Sequence, residues 1–230
     1  MPLKFLEDNL KSVNTDIENS CREAKRQVDD VTLLAVTKRQ SLEKLKALYQ
    51  LGLRSFGENR VQEMNDKAKV LPKDIEWHLI GPLQSNKVRS ALQHATVIHS
   101  VDSFKLLERI GRIAAEEKKY PSIFLQVNLT GEEQKSGFRS TDLEEAAHLA
   151  LSYTHVKLIG LMTMGATQHD ENETRAVFRQ LAELGRNLQK IDVNINQLSM
   201  GMSGDFPLAI QEGSTIIRVG SSILGARDYN

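Results

Sequence analysis

Eight short apolar runs recur along the chain with amphipathic stretches between them, and this alternation restricts the fold more than any other feature. The runs are "VTLLAVTK" (31–38), "SFGEN" (55–59), "WHLIG" (77–81), "TVIHSV" (96–101), "SIFLQVNL" (122–129), "VKLIGLMT" (156–163), "QLSMG" (197–201) and "TIIRVG" (215–220). Their length suits strands, and continuous apolarity suits burial on both faces. The clearest intervening helices are 103–117, 142–152 and 171–188, the last with Val177, Phe178, Leu181, Leu184 and Leu188 on one stripe. Strands that alternate with helices pair in parallel. Eight such units close most simply into a (β/α)8 barrel of the TIM type; an open doubly wound sheet is the alternative. Before the first strand, Leu6, Leu10, Val13, Ile17, Cys21 and Ala24 recur every three or four residues. That spacing predicts an N-terminal helix with one packed stripe, so 1–28 is expected to lie against the barrel. No linker, repeat or low-complexity tract divides the 230 residues, and one domain over 1–230 is expected.

Composition excludes several classes. Lysine plus arginine and aspartate plus glutamate number 30 each, which leaves no basic excess for nucleic acid. The cluster "REAKR" (22–26) reads as the solvated face of a helix. Cys21 is the only cysteine, which rules out an internal disulfide and suits a reducing compartment. Glu7 and Asp8 fall where a signal peptide needs an apolar core, and no run is long enough to span a bilayer. A cytoplasmic protein is expected, with no membrane and no nucleic-acid partner.

Chemistry in a barrel gathers at the C-terminal ends of the strands. Lys38 lies at such an end, as do "GEN" (57–59), "SMGMSGD" (199–205) and "RVGSS" (218–222). Side-chain alternation puts Leu34, Val36 and Lys38 on one side of the first strand, and Ile216, Arg218 and Gly220 on one side of the last. First and last strands are neighbours in a closed barrel, so Lys38 and Arg218 are expected to face the lumen with a ligand between them. "GMSGDFP" and "GSSILGA" bring small residues to the loops after the last two strands, Asp205 standing as candidate N-cap and Pro207 in the first turn. Backbone N–H groups in such loops can approach a phosphate. An amine in a low-dielectric pocket loses its proton more readily and can attack an aldehyde. Lysine, phosphate cradle and arginine in one mouth match pyridoxal 5′-phosphate, an aldehyde, phosphate and ring nitrogen in one molecule. The competing reading keeps Lys38 as an exposed strand terminator, and spacing leaves both open.

The blocks "LLAVTK" (33–38), "FGENRVQE" (56–63), "WHLIGPLQSNK" (77–87), "VNLTGEEQKSGF" (127–138), "GLMTM" (160–164), "LSMGMSGDF" (198–206) and "IRVGSSILGAR" (217–227) resemble the pyridoxal phosphate homeostasis proteins, the YggS or PLPBP family. That resemblance implies a barrel like the alanine racemase N-terminal domain, with Lys38 carrying pyridoxal 5′-phosphate as a Schiff base. It implies Arg218 opposite the pyridine nitrogen, Ser203, Gly220 and Ser221 on the phosphate, and Asn59 and Met200 along the ring. Ser221 stands where many relatives have threonine, which keeps the hydroxyl donor. The leading expectation is a carrier and buffer of the cofactor without committed turnover, in transient contact with apo-enzymes, as a monomer with a weak dimer as the alternative.

A small amino-acid racemase using Lys38 as base is the rival function, and a cofactor-free barrel enzyme acting on a sugar phosphate is a third class. Arginine cannot give a proton to the ring nitrogen, which weakens the electron sink but does not exclude racemisation, because the related racemases share it. Those racemases also draw a catalytic tyrosine from a second domain. This chain ends ten residues beyond Gly220, and none of Tyr49, Tyr120, Tyr153 or Tyr229 lies in a matching motif. No residue is assigned a catalytic or metal-binding role. The six histidines, 78, 94, 99, 148, 155 and 169, show no metal-ligand spacing, and His78 reads as structural. The pairs Glu132–Glu133, Glu144–Glu145 and Asp170–Glu171 read as helix starts or loop surface, Lys87 and Lys135 as solvated lysines, and Met162 and Met164 as barrel filling.

Overall fold

The computed structural model describes residues 2–129, 136–165 and 170–225. Glu132–Glu133, Lys135, His169 and Tyr229 lie outside the described residues. Eight parallel strands close on themselves in chain order: β1 (Thr32–Val36), β2 (Ser55–Glu58), β3 (Glu76–Leu79), β4 (Ala95–Val101), β5 (Ser122–Gln126), β6 (Lys157–Met162), β7 (Gln197–Met202) and β8 (Ile216–Val219). Closure comes from the β1–β8 ladder, in which Leu34 is level with Arg218. Around the barrel run α2 (Leu42–Gln50), α3 (Val61–Val70), α4 (Val88–Ala91), α5 (Phe104–Glu117), α6 (Leu143–Leu151), α7 (Glu171–Leu188), α8 (Phe206–Gln211) and α9 (Ser221–Leu224), after the N-terminal α1 (Pro2–Glu23).

Local chemistry starts two of these helices, α7 at the residue the sequence predicts. The Asp170 carboxylate accepts from the Asn172 and Glu173 amides at the head of α7, and the Ser41 hydroxyl accepts from the Lys44 amide at the head of α2. Asp205 sits at the start of α8 but does not cap it; its Oδ1 accepts from the Met202 amide and ties the preceding turn instead.

Side chains alternate between two apolar layers. Those pointing outward, such as Ala35, Phe56, Trp77, Ile98, Leu125 and Ile217, pack against the helices in the main core. Leu34, Val97, Phe124, Met162 and Ile216, drawn from five strands, form a separate cluster that fills the lumen. Met164 departs from expectation: it lies past the end of β6 and is exposed.

On α1, Leu6, Leu10, Val13, Ile17 and Cys21 are all buried, each such side chain worth roughly 1.5–3 kcal/mol where it is large and apolar. They seat the helix over α2, α8 and α9. Asn9 donates to the Ile223 carbonyl at 2.9 Å. Just past the helix, Arg26 donates to the carbonyls of Ile210 and Ser214 at 2.8 and 2.7 Å. The helix thus braces the two last units, which carry the glycine–serine loops.

Candidate functional site

β1 stops at Val36, two residues short of the predicted end, and Lys38 occupies the turn that follows. The Thr37 amide makes the last ladder bond, to the Gly57 carbonyl, and the Gln40 amide bends back to the Thr37 carbonyl. Arg39 makes that bend in the left-handed region, at φ 57°, a conformation that costs a non-glycine residue about 1–2 kcal/mol. A buried network holds the bend. Glu58, wholly buried at the end of β2, accepts through Oε1 from the Thr37 hydroxyl and from Lys67 of α3, both at 2.7 Å. Lys67 Nζ also donates to the Thr37 carbonyl and to Glu63 Oε1, both at 2.8 Å, and the same Glu63 oxygen accepts from the Arg39 amide at 2.6 Å. Both neighbours of Lys38 are anchored to one lysine-centred cluster beneath it. Burial pushes the Glu58 carboxyl up, against the opposing pull of Lys67 and Thr37.

Above the network, at the C-terminal mouth, a cavity of about 430 Å³ is lined by Val36, Lys38, Gln40, Ile80, Met202, Ser203, Gly204, Arg218, Gly220, Ser221 and Gly225. This lies within the range of small-molecule sites, about 300–1,000 Å³. Of the seven residues singled out by sequence, five line it: Lys38, Ser203, Arg218, Gly220 and Ser221. Asn59 borders Lys38 in an adjoining recess with Arg39, Arg60 and Glu63, and its Oδ1 is buried without a hydrogen-bond partner.

Met200 does not line the cavity. Ser199 faces the lumen, so the next side chain points outward, and Met200 is buried in the helix-facing core. The β7–β8 register then shifts between Ser199 and Met202, which brings Met202 to the mouth instead. Ile80 and Met202 had no sequence signal of their own, whereas Gly204 belongs to the "GMSGDFP" loop; Ile80 follows from lumenal alternation after His78. His78 stands deeper in the barrel as a structural residue, and Lys87 lines a separate recess with Asn59 and Arg60.

Arg218 is the electrostatic centre of the site. Burial lowers its guanidinium below the usual arginine range, to about 10, the charge of Asp205 opposing this. Its Nη1 donates to Ser199 Oγ at 2.7 Å and its Nη2 to the Thr163 carbonyl at 2.9 Å. Among the described residues no carboxylate forms an ion pair with it. A buried cation without a carboxylate partner is costly, and one that lines a cavity favours an acceptor or anion there. On the adjacent wall, the Ser203 hydroxyl accepts from the Gly220 amide at 3.1 Å, which leaves its own proton to donate. Serine hydroxyls, an amine and a guanidinium line one space with the apolar side chains of Val36 and Ile80. That donor set fits a flat aromatic ring bearing an aldehyde, a phosphate and an unprotonated ring nitrogen. Among the described residues no cluster of metal-ligating side chains occurs, and no helix is long and apolar enough to cross a membrane.

His99 gives the molecule a pH dependence. Burial, then the charges of His78 and Arg218, hold its imidazole well below 6.5. Below pH 6.5 the unfolded chain takes up a proton that folded His99 refuses, so the stability from this residue is complete above that pH and falls as the pH drops through it. Denaturant unfolding between pH 7.5 and 5.5 is expected to show a loss approaching 1.4 kcal/mol per pH unit from this group, and His99→Gln to flatten that limb.

Residues 14–228 match the family model described as alanine racemase, N-terminal domain. The pyridoxal phosphate homeostasis protein of Vibrio alginolyticus is 37% identical over 233 residues, covering 99% of this chain and 100% of the relative. That of Aquifex aeolicus is 38% identical over 224 residues, covering 96% and 98%. Among solved structures, PipY of Synechococcus elongatus with PLP bound superposes at a TM-score of 0.80 with 39% identity, covering 91% of this chain and all of that one. An alanine racemase of Clostridium difficile superposes at 0.79 with 15% identity, covering 99% of this chain and 58% of the enzyme, a likeness of fold alone.

Proposed function

The chain belongs to the pyridoxal phosphate homeostasis proteins, and from that premise we propose that it binds pyridoxal 5′-phosphate on Lys38 and serves as a carrier and buffer of the cofactor. The observation that carries this reading is the buried guanidinium of Arg218, in no ion pair with a carboxylate of the described residues, in the same cavity as Lys38 and the Ser203–Gly220–Ser221 turns. The bound cofactor supplies an aldehyde that can be held reversibly by an amine, and an aromatic ring able to take up electron density.

Each residue then has a task. Lys38 presents the amine from a turn whose two flanking residues are immobilised. Arg218 donates to the ring nitrogen and, being unable to surrender its proton, keeps that nitrogen unprotonated. The Ser203 and Ser221 hydroxyls would donate to the phosphate, with Gly220 beside it holding Ser203 in place through its amide, while Val36 and Ile80 exclude water from the ring faces. Asn59 completes the border beside Lys38, and its unpartnered oxygen there suits a polar group on the ring.

The absence of committed turnover is part of the same proposal. A racemase needs a second acid or base across the ring from the lysine. The described tyrosines are engaged elsewhere: Tyr49 Oη bonds Asp74, Tyr120 stacks on His155, and the Tyr153 ring lies against Gly111 of α5. The carrier, working in the cytoplasm as a monomer, would limit free aldehyde and pass the cofactor to apo-enzymes in transient contact. To test it, the loaded protein is incubated in deuterated water with D- and L-amino acids. Exchange of the α-proton no faster than with free cofactor is expected; stereospecific turnover that disappears in Lys38→Ala would establish the racemase instead.

A further inference from the structure

Two buried histidines join Arg218 to the far end of the barrel. His78 Nδ1 on β3 lies 2.8 Å from His99 Nε2 on β4, and His99 Nδ1 lies 2.8 Å from Ser199 Oγ on β7. Ser199 Oγ accepts from Arg218 Nη1 at 2.7 Å. His99 also stacks on Phe124, with ring centroids 4.5 Å apart. At the other end His78 Nε2 is 3.1 Å from Glu76 Oε2, close enough for an ion pair but not aligned as a hydrogen bond. His99 and Ser199 are wholly buried and His78 nearly so, whereas half of the Glu76 side chain is exposed.

Donor and acceptor rules place every proton in this chain. A guanidinium only donates, so Ser199 Oγ is an acceptor toward Arg218. The hydroxyl's own proton needs an acceptor, and His99 Nδ1 is the one at hydrogen-bonding distance. His99 therefore carries its proton on Nε2 and donates it to His78 Nδ1. His78 in turn carries its proton on Nε2, facing the Glu76 carboxylate. Reversing the direction would bury the Ser199 proton without an acceptor and would turn a bare His78 Nε2 toward a carboxylate. Both are penalised where the side chains are this deeply buried.

We infer that Ser199 and His99 are positioning residues for Arg218: the His99 imidazole, with its proton on Nε2, accepts from the Ser199 hydroxyl, which fixes the guanidinium plane at the cavity. The Thr163 carbonyl holds the second arm. With these two N–H groups spent inside the protein, those remaining set the direction from which a ligand acceptor is met. The groups facing His99 are His78 and Arg218, with Glu76 beyond His78, and burial with those two neighbours keeps its imidazole uncharged. This proton arrangement belongs to the protein itself; only its effect on pyridoxal phosphate binding rests on the function proposed above.

The test is long-range 1H–15N spectroscopy of the imidazoles in the full chain without added cofactor. His99 is expected as the neutral Nε2–H tautomer at pH 7, and unchanged at pH 5.5. A proton on His99 Nδ1, or a cationic His99 at pH 5.5, overturns the inference. In Ser199→Ala, His99 is expected to lose its single tautomer and pyridoxal phosphate to bind about tenfold more weakly, as loss of one oriented charged donor would give. Borohydride is still expected to trap the adduct in that variant, and Ser199→Thr is expected to restore both readouts. A Ser199→Ala protein in which His99 keeps the same tautomer overturns the inference whatever its affinity. Failure of the parent protein to bind pyridoxal phosphate would refute the proposed function and leave the imidazole result to decide this one.

Discussion

Lys67→Met is expected to lower the unfolding free energy by about 3–5 kcal/mol, the usual cost of stranding one partner of a buried ion pair. Lys67 Nζ supplies protons to three oxygens, and its removal leaves Glu58, already pushed up by burial, with only the Thr37 hydroxyl. Glu58 Oε2 has no partner even in the intact protein, so no second donor takes over. Urea unfolding at pH 7 measures the loss. The double variant Glu58→Gln, Lys67→Met is expected to recover part of it, because the stranded charge is gone while the Thr37 contact survives. If Lys67→Met matches the parent within 1 kcal/mol, the network does not hold the turn as described. The functional corollary is local. Thr37 and Arg39 lose their common anchor, so the Lys38 amine should be trapped by borohydride more slowly even in the molecules that remain folded.

Gly160→Ala is expected to be more severe and to leave no folded barrel. A Cβ at Gly160 would stand 1.8 Å from the Gln197 carbonyl oxygen, and Gln197 is its partner in the β6–β7 ladder. Backbone cannot step aside as a side-chain tip can, so the two strands must part and the barrel must open at that seam. Effects above about 4–5 kcal/mol are rare for point substitutions, and this steric mechanism is among the few that reach them. Gly204→Ala is the control: nothing lies within 4 Å of its added Cβ. Circular dichroism and melting of the two variants separate the cases. A cooperatively folded Gly160→Ala protein with parental stability would show that the seam is looser than its geometry.

Much of the barrel is legible in the chain because each strand carries its own apolar run and each helix its own stripe. α7 begins and ends at the predicted residues, with Asp170 bonded at its head. The site was legible where it follows from strand ends. Arg218 lies on β8 and Lys38 just past the end of the neighbouring β1, so the strand ends bring both to the mouth cavity. Other features depend on register that no single run contains. The shift between Ser199 and Met202 moves the methionine at the mouth from 200 to 202, and Asp205 is drawn from its cap to the Met202 amide by the same turn. The supporting shell was invisible for a different reason. Glu58, Lys67, His78 and His99 are polar residues inside the protein, and their meaning lies in partners up to 100 positions away, as for His99 and Ser199.

The most direct measurement is to add pyridoxal 5′-phosphate to the full-length protein, reduce with borohydride, and map the modified peptide alongside Lys38→Ala treated identically. A single reduced pyridoxyl group on Lys38, absent from the variant, is the expected result. A label on another lysine, or an equal yield from Lys38→Ala, would contradict the assignment of the cavity at the barrel mouth.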